Sequence, residues 1–107
     1  MNIVFFGTSE FAIPALKRLV DSGQKVLAIV TQPDRKQGRS LKVLAPPAKA
    51  FALSKNIPVF QPQDASSAES VSYLKPLGAD LFVVISFGQI LKREALSIPK
   101  LFAALTA

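Results

Sequence analysis

The sequence predicts an α/β fold in which helices cover both faces of a parallel sheet. Four short apolar runs recur along the 107 residues and alternate with segments of helical spacing. Each run is apolar at nearly every position, which is typical of strands buried on both faces. Strands that alternate with helices form parallel sheets with right-handed crossovers, and a doubly wound arrangement gives the strand order 3-2-1-4.

The first strand and the first helix follow from the residues up to Gly23. Asn2–Phe6 is an apolar run that ends at Gly7. Residues 8–10 supply two hydroxyl groups and an acid, which favour the start of a helix. Apolar residues then recur at helical spacing until Gly23, which is suited to end the helix.

The remaining elements are shorter and follow the same alternation. Pro46 and Pro47 favour the start of the second helix because proline is accepted in a first helical turn. In chain order we expect a strand at residues 25–31, a helix at 46–56, a strand at 58–60, a weaker helix at 68–77, a strand at 81–86 and a helix from 92. No internal repeat divides the chain, so we expect a single domain.

The chain contains neither cysteine nor histidine. The 107 residues therefore offer no disulfide, no thiolate zinc site and no Ser-His-Asp triad, and we expect no metal. No apolar run approaches the ~20 residues of a membrane span. The first strand begins directly after Met1, without the features of a signal peptide. We expect no membrane partner, and the cytoplasm is the default compartment.

A dense group of cations follows the second predicted strand. The formal net charge is +6, and residues 34–42 hold four cations beside one acid, Asp34. A flexible loop of this composition is suited to binding phosphates, in a manner that depends on salt. The alternative is a solvated basic surface without a partner. The four candidate residues are Arg35, Lys36, Arg39 and Lys42.

The predicted strand order brings two loops together. Strands one and four are neighbours at the switch point of the sheet, where ligands bind beyond the carboxyl ends of the strands. Residues 7–10 and 86–91 should therefore share a crevice, with Gly7 and Thr8 in its wall. Phe11 either walls the same crevice or holds the first helix against the sheet, and its spacing favours the second role. The glycines of a dinucleotide fingerprint are missing here.

The segment after the fourth strand combines a glycine, an amide and large apolar side chains. Such a segment can line a flat pocket for a heteroaromatic ring. The alternative is a turn from strand to helix that buries Ile90 and Leu91 in the core, and the residues alone favour this alternative. The candidate ligand-binding residues are Phe87, Gly88, Gln89, Ile90 and Leu91.

Several segments in register carry a resemblance to a known family. They are IVFFGTSEFA at residues 3–12, VTQPDR at 30–35, GR at 38–39, IPVFQP at 57–62, ADL at 79–81, GQIL at 88–91 and IP at 98–99. Together they resemble the methionyl-tRNA formyltransferases over residues 2 to about 101. The TQPDR entry to the basic loop separates this family from its sugar-nucleotide and purine-pathway relatives.

The resemblance implies a Rossmann-like formyltransferase domain and a reaction. In that family a formyl group passes from 10-formyltetrahydrofolate to the amino group of methionine on initiator tRNA. Residues 34–42 would embrace the acceptor arm of the tRNA, with Arg39 at the key basic position. Residues 88–91 match the segment that lines the folate pocket, and Phe11 matches an aromatic residue near the active site. Alternatives are a tRNA- or anion-binding module without chemistry and a fragment of a sugar-nucleotide formyltransferase.

The resemblance stops after Leu101. The family continues there into a strand with an Asn-x-His motif and a later essential Asp, whereas this chain reads FAALTA. We therefore expect residues 1–107 to form an incomplete N-terminal formyltransferase domain, without the tRNA-binding barrel and without catalytic residues. The chain alone should show no measurable formyl transfer. An uncovered strand at residues 81–86 should also favour self-association through its edge.

Overall fold

The computed structural model describes residues 1–37 and 42–105. The strands are β1 Asn2–Phe6, β2 Lys25–Val30, β3 Arg35–Gln37, β4 Lys42–Leu44, β5 Val59–Phe60, β6 Leu81–Ile85 and β7 Leu101–Leu105. The helices are α1 Ile13–Asp21, α2 Pro47–Ser54, α3 Ala68–Leu74 and α4 Arg93–Leu96, with 3₁₀ turns at Glu10–Ala12 and Lys75–Leu77.

The main sheet has five strands in the order β5-β2-β1-β6-β7. All of its pairings are parallel. The first four of these strands are the four that the sequence predicts, and their predicted order of 3-2-1-4 is confirmed. β1 lies at the centre because its apolar residues can be buried on both faces, and Phe5 pairs with Ile29 on one side and Val83 on the other.

Neighbouring residues of β1 enter different cores because side chains alternate across a strand. Phe5 joins Leu16 of α1 and Ala48 of α2 on one face of the sheet. Phe6 joins Leu74 of α3 and Ala95 of α4 on the other face. The helices therefore cover both faces, and the carboxyl ends of the strands are left for the connecting loops.

The prediction that residues 81–86 form an exposed edge is wrong. β7 pairs with β6 along its whole length, with Leu81 opposite Leu101 and Ile85 opposite Leu105. Leu101 N–H also donates to the carbonyl of Asp80 at 3.0 Å. The apolar segment LFAAL becomes a strand because it satisfies the backbone groups of β6. The reason for expecting self-association through residues 81–86 was an uncovered strand edge. That edge is covered, because β7 is the outermost strand on this side of the described sheet.

We also predicted an irregular loop after the second strand, but the two ends of this segment form strands. β3 and β4 form an antiparallel hairpin in which Arg35 lies opposite Leu44 and Gln37 lies opposite Lys42. Residues 38–41, and with them Arg39, lie outside the described residues. The basic segment is therefore held by ladder hydrogen bonds at its base, next to the carboxyl end of β2.

Candidate functional site

A cleft of about 570 Å³ lies beyond the carboxyl ends of β1, β2 and β6. Residues 8–10 line it after β1, residues 32–33 after β2 and residues 86–88 after β6. The hairpin adds Arg35 and Leu44, and the start of α2 adds two prolines. The predicted meeting of the loops after strands one and four is therefore confirmed, and the base of the basic hairpin flanks it as expected.

Thr8 joins the three strand ends that form the cleft. Its N–H donates to the carbonyl of Ser86 at 3.0 Å. Its Oγ1 donates to the carbonyl of Phe87 at 2.6 Å and accepts from the N–H of Gln32 at 3.2 Å. A single side chain thus fixes the spacing of β1, β2 and β6 at the site.

Gly7 lies behind the cleft and not in its lining. A Cβ atom on Gly7 would lie 2.6 Å from Phe5 Cε1, 2.9 Å from Ala12 Cβ and 3.0 Å from the Ile85 carbonyl oxygen. A side chain of any size would separate β1 from β6 or from the turn that leads to α1. Gly7 therefore permits the close packing on which the cleft depends.

Ser9 and Ser86 form a hydroxyl pair in the lining, with their Oγ atoms 2.5 Å apart. Ser86 has a φ of +53°, in the left-handed region that non-glycine residues seldom adopt. Such a conformation costs free energy and is common at functional sites. Ser9 precedes the 3₁₀ turn but makes no side-chain cap bond there, because its hydroxyl is paired across the cleft.

Phe87 and Gly88 are the predicted ligand-binding residues that the structure places in the cleft. Phe87 is buried, and its ring packs edge-on against Phe6 with the centroids 5.4 Å apart. Gly88 has a φ of +95°, and a Cβ there would lie 2.7 Å from Gln32 Nε2. Both the backbone conformation and the lack of space therefore require glycine at this position.

The other three residues of that segment point elsewhere. Gln89 hydrogen-bonds to neighbouring loops and does not line the cleft. Leu91 belongs to the core, as the alternative interpretation expects. Ile90 does not, because 88% of it is exposed. The expectation of a buried Ile90 is thus wrong.

Phe11 takes neither of the two roles expected of it. It is 72% exposed, so it does not hold the helix against the sheet, and it is absent from the lining of the cleft. The 3₁₀ turn at Glu10–Ala12 is the cause, because it directs Ala12 into the core instead.

Gln32 is a polar lining residue that the sequence does not single out, because Gln-Pro-Asp-Arg is typical of a turn. It is only 8% exposed. Its carbonyl accepts from Gln61 Nε2 at 3.1 Å, and its Oε1 accepts from Gln89 Nε2 at 2.8 Å. A polar residue directly after a buried strand, at the ligand-binding edge of the sheet, is the signal that could have identified it.

Asp34 is held in place by an amide and an ammonium group. Gln61 Nε2 donates to Oδ1 at 2.7 Å, and Lys49 Nζ lies 3.0 Å from Oδ2. The hydrogen bond from Gln61, followed by that from Lys49, lowers the pKa of Asp34 below its ordinary value of 3.8. The carboxylate thus joins the approach to the hairpin to α2, and it is poorly suited to accept a proton near neutral pH.

The lowered pKa of Asp34 predicts an acid-dependent contribution to stability. The ionised group contributes fully above its unfolded pKa, and the contribution is lost as the pH falls through the lower folded pKa. We expect Asp34→Asn to be less stable than the unsubstituted chain at pH 6, and this difference to shrink below pH ~3.8. Urea denaturation at several pH values measures it. Asp21→Asn, on the exposed end of α1, is the control, and an equal effect in both variants would refute the role of Asp34.

The basic candidates are only partly described. Arg35 lines the cleft. Lys36 and Lys42 lie in β3 and β4, and Arg39 lies outside the described residues. The structure therefore brings one of the four cations to the cleft and places two more on the strands that lead away from it.

Residues 1–37 and 42–105 contain no group of three or more His, Cys, Asp or Glu side chains that could hold a metal ion. No helix in this part of the chain has both the length and the apolar character needed to cross a membrane.

Comparison with known proteins gives the family. Residues 1–103 match the formyl transferase family. The chain is 49% identical over 100 residues to the methionyl-tRNA formyltransferase of Geobacter sulfurreducens, covering 94% of this chain and 32% of that protein. Identity to the enzyme of the same name from Citrifermentans bemidjiense is 51% over 100 residues, covering 94% of this chain and 31% of that protein. The enzyme of Clostridioides difficile is 46% identical over 101 residues, covering 94% of this chain and 33% of that protein. The chain thus spans about a third of the length of these relatives, and it belongs to the formyl transferase family.

Proposed function

We propose that the chain provides the donor cleft and the tRNA-binding hairpin of a methionyl-tRNA formyltransferase. In this reaction 10-formyltetrahydrofolate gives its formyl group to the amino group of methionine on initiator tRNA, in the cytoplasm. The observation that carries the proposal is the cleft between Thr8 and residues 86–88, flanked by the base of the basic hairpin. The names of relatives that are 46–51% identical over 94% of the chain support it.

The lining of the cleft suits a folate. A volume of about 570 Å³ falls within the range of ~300–1,000 Å³ that is typical of small-molecule sites. Phe87 and the prolines at positions 33, 46 and 47 give it apolar walls, and Gly88 leaves a flat surface that a Cβ would fill. A flat heteroaromatic ring fits such walls, while Gln32 offers a polar contact. When bound, the folate supplies the formyl group.

The residues of this chain are better suited to binding the substrates than to catalysing formyl transfer. Formyl transfer requires a base for the attacking amine and donors for the developing oxyanion. The chain has no histidine, and Asp34 is tied to Gln61 and Lys49. We therefore propose that the 107 residues bind the substrates without measurable turnover. Turnover by the rigorously purified chain, measured with labelled formyl donor, would contradict this part of the proposal.

The basic hairpin is the proposed contact with the tRNA acceptor arm. We expect Arg39→Ala combined with Lys42→Ala to weaken tRNA binding. Loss of two phosphate contacts should reduce the slope of log affinity against log salt by about 0.7–0.9 for each contact. Filter binding of initiator tRNA at a series of salt concentrations measures both effects.

A matched control removes the same charge elsewhere. Lys17→Ala combined with Arg18→Ala takes two exposed cations from α1, on an element that does not line the cleft. If the hairpin is the contact, this control should bind tRNA nearly as well as the unsubstituted chain. Equal losses in the two double variants would indicate only general attraction between a basic protein and a polyanion.

A second candidate is a tRNA-binding module without any link to formyl transfer. The carboxylate of Asp34, which is occupied by Gln61 and Lys49, favours it. Folate binding distinguishes the two candidates, because the second requires tRNA alone. A chain that binds tRNA through the hairpin and shows no affinity for a formylated folate would support the second candidate.

A further inference from the structure

The orientation of the Gln89 carboxamide is fixed by two backbone groups. The N–H of Ala65 donates to Gln89 Oε1 at 2.8 Å, and Gln89 Nε2 donates to the carbonyl of Pro62 at 3.1 Å. A backbone N–H can only donate and a backbone carbonyl can only accept. The oxygen and nitrogen of Gln89 therefore cannot exchange places without losing both bonds.

This orientation in turn fixes the orientation of Gln32. Gln89 Nε2 makes its second donation to Gln32 Oε1 at 2.8 Å. Only the oxygen of the Gln32 carboxamide can accept this bond, so its NH₂ group must face away from Gln89. There it lies beside Gly88, where a Cβ would come within 2.7 Å of Nε2.

The Gln32 NH₂ group is left as a donor in the cleft. Within the described part of the chain it donates to no acceptor, although the backbone N–H and carbonyl of Gln32 are both hydrogen-bonded. The residue lines the cleft and is nine-tenths buried. This donor faces the cleft, where an acceptor on a bound ligand can take its hydrogen bond.

We propose that Gln32 Nε2 is a ligand-binding donor that selects a carbonyl oxygen on the small molecule held in the cleft. This proposal rests on the proposed function and extends it to a specificity-determining residue. The backbone of Gln32 is held by Thr8 and Gln61, so the donor is preorganised. Two substrates of the proposed reaction carry such an oxygen, namely the folate donor and the methionyl ester.

Nuclear magnetic resonance of the ¹⁵N-labelled 107-residue chain tests the proposal. The Gln32 side-chain signal is assigned through its loss in Gln32→Glu. The chain is titrated with 5-formyltetrahydrofolate, a stable isomer of the proposed donor, and separately with methionine methyl ester. The Gln32 NH₂ signal should shift with one of the two ligands, and that ligand identifies the source of the oxygen. The side-chain signals of Gln24 and Gln63, outside the cleft lining, should stay in place.

Variants of the same chain give a second measurement. Gln32→Glu keeps an oxygen for Gln89 and replaces the proposed donor with a second oxygen, so affinity for the selected ligand should fall at least ~10-fold. Gln63→Glu makes the same chemical change on an exposed loop, and its affinity should stay within about 2-fold of the unsubstituted chain. If Gln32→Glu fails to fold, the titration of the unsubstituted chain still tests whether Gln32 contacts the ligand.

The outcomes separate this proposal from the proposed function. Shifts at the backbone of residues 86–88 with formylated folate, while the Gln32 NH₂ signal stays in place, would overturn the role of Gln32 and leave folate binding supported. A loss of affinity of equal size in Gln32→Glu and Gln63→Glu would also overturn it. If neither ligand moves any signal of the cleft, the role of Gln32 and folate binding by this chain both fail.

Discussion

Replacing Phe6 by alanine is expected to lower the free energy of unfolding by about 3–5 kcal/mol. Phe6 is fully buried, with its ring centroid 4.8 Å from that of Phe82 and 5.4 Å from that of Phe87. The variant would leave a cavity between β1, β6 and the wall of the cleft. Because small domains have a total stability of about 5–15 kcal/mol, we expect a large shift of the urea midpoint, measured by circular dichroism.

The chain contains its own control for this change. Phe11→Ala removes the same atoms from a side chain that is 72% exposed, and we expect a loss of less than about 1 kcal/mol. Equal losses at the two positions would contradict the view that packing among Phe6, Phe82 and Phe87 is a main source of stability. A folded Phe6→Ala population should also bind ligands in the cleft more weakly, because Phe87 loses its support.

Gly7→Ala is expected to destabilise the chain by about 3 kcal/mol, at the upper end of the range for overpacked cores. The added methyl group would lie within 3.0 Å of atoms from β1, the 3₁₀ turn and β6, including the backbone oxygen of Ile85. A backbone atom cannot move aside as the end of a side chain can. Thermal and urea unfolding measure the loss.

Gly23→Ala is the control that separates the cost of steric crowding from the cost of an unfavourable backbone conformation. Gly23 has a φ of +84°, and a Cβ there would meet nothing within 4 Å. This variant therefore carries only the cost of a left-handed conformation, about 1–2 kcal/mol. A smaller loss in Gly7→Ala than in Gly23→Ala would show that β1 and β6 can separate at low cost, contrary to the close packing around Gly7.

The central part of the fold was predictable because its strands are apolar on both faces. Their apolar runs alone identify β1, β2 and β6 as strands, and the order of the parallel strands follows from the doubly wound arrangement. β7 was not predictable, since an alanine-rich segment such as LFAAL suits helix and strand alike and becomes a strand by pairing with β6. The hairpin was missed for a similar reason, because Arg-Lys-Gln carries no apolar alternation of its own.

The position of the cleft was predictable, but several of its residues were not. Topology alone brings the loops after β1 and β6 together. The position of Gln32 after a buried strand was a usable signal, but the orientation of its side chain was not predictable, because it depends on Gln89, 57 positions away in the chain. Burial of Phe11 and Ile90 was wrongly favoured from the sequence. Both residues lie in short turns, and there the turn geometry decides which side chains enter the core. The roles proposed for the basic residues remain predictions from the sequence.

The hydrogen bonds between β1 and the segment around β6 have a consequence for the order of folding. Asn2 N–H donates to Asp80 Oδ2 across 78 positions, and Thr8 Oγ1 donates to the Phe87 carbonyl across 79 positions. Contacts of such sequence separation form slowly, because the entropy of closing a long loop must be lost first. A nascent chain that has reached α3 can pair β1 with β2 and close the hairpin, yet it has no cleft. The cleft therefore arises only after β6 and residues 86–88 have been synthesised. Any cut between β2 and β6 that separates the two pieces removes the cleft while leaving most of the secondary structure intact.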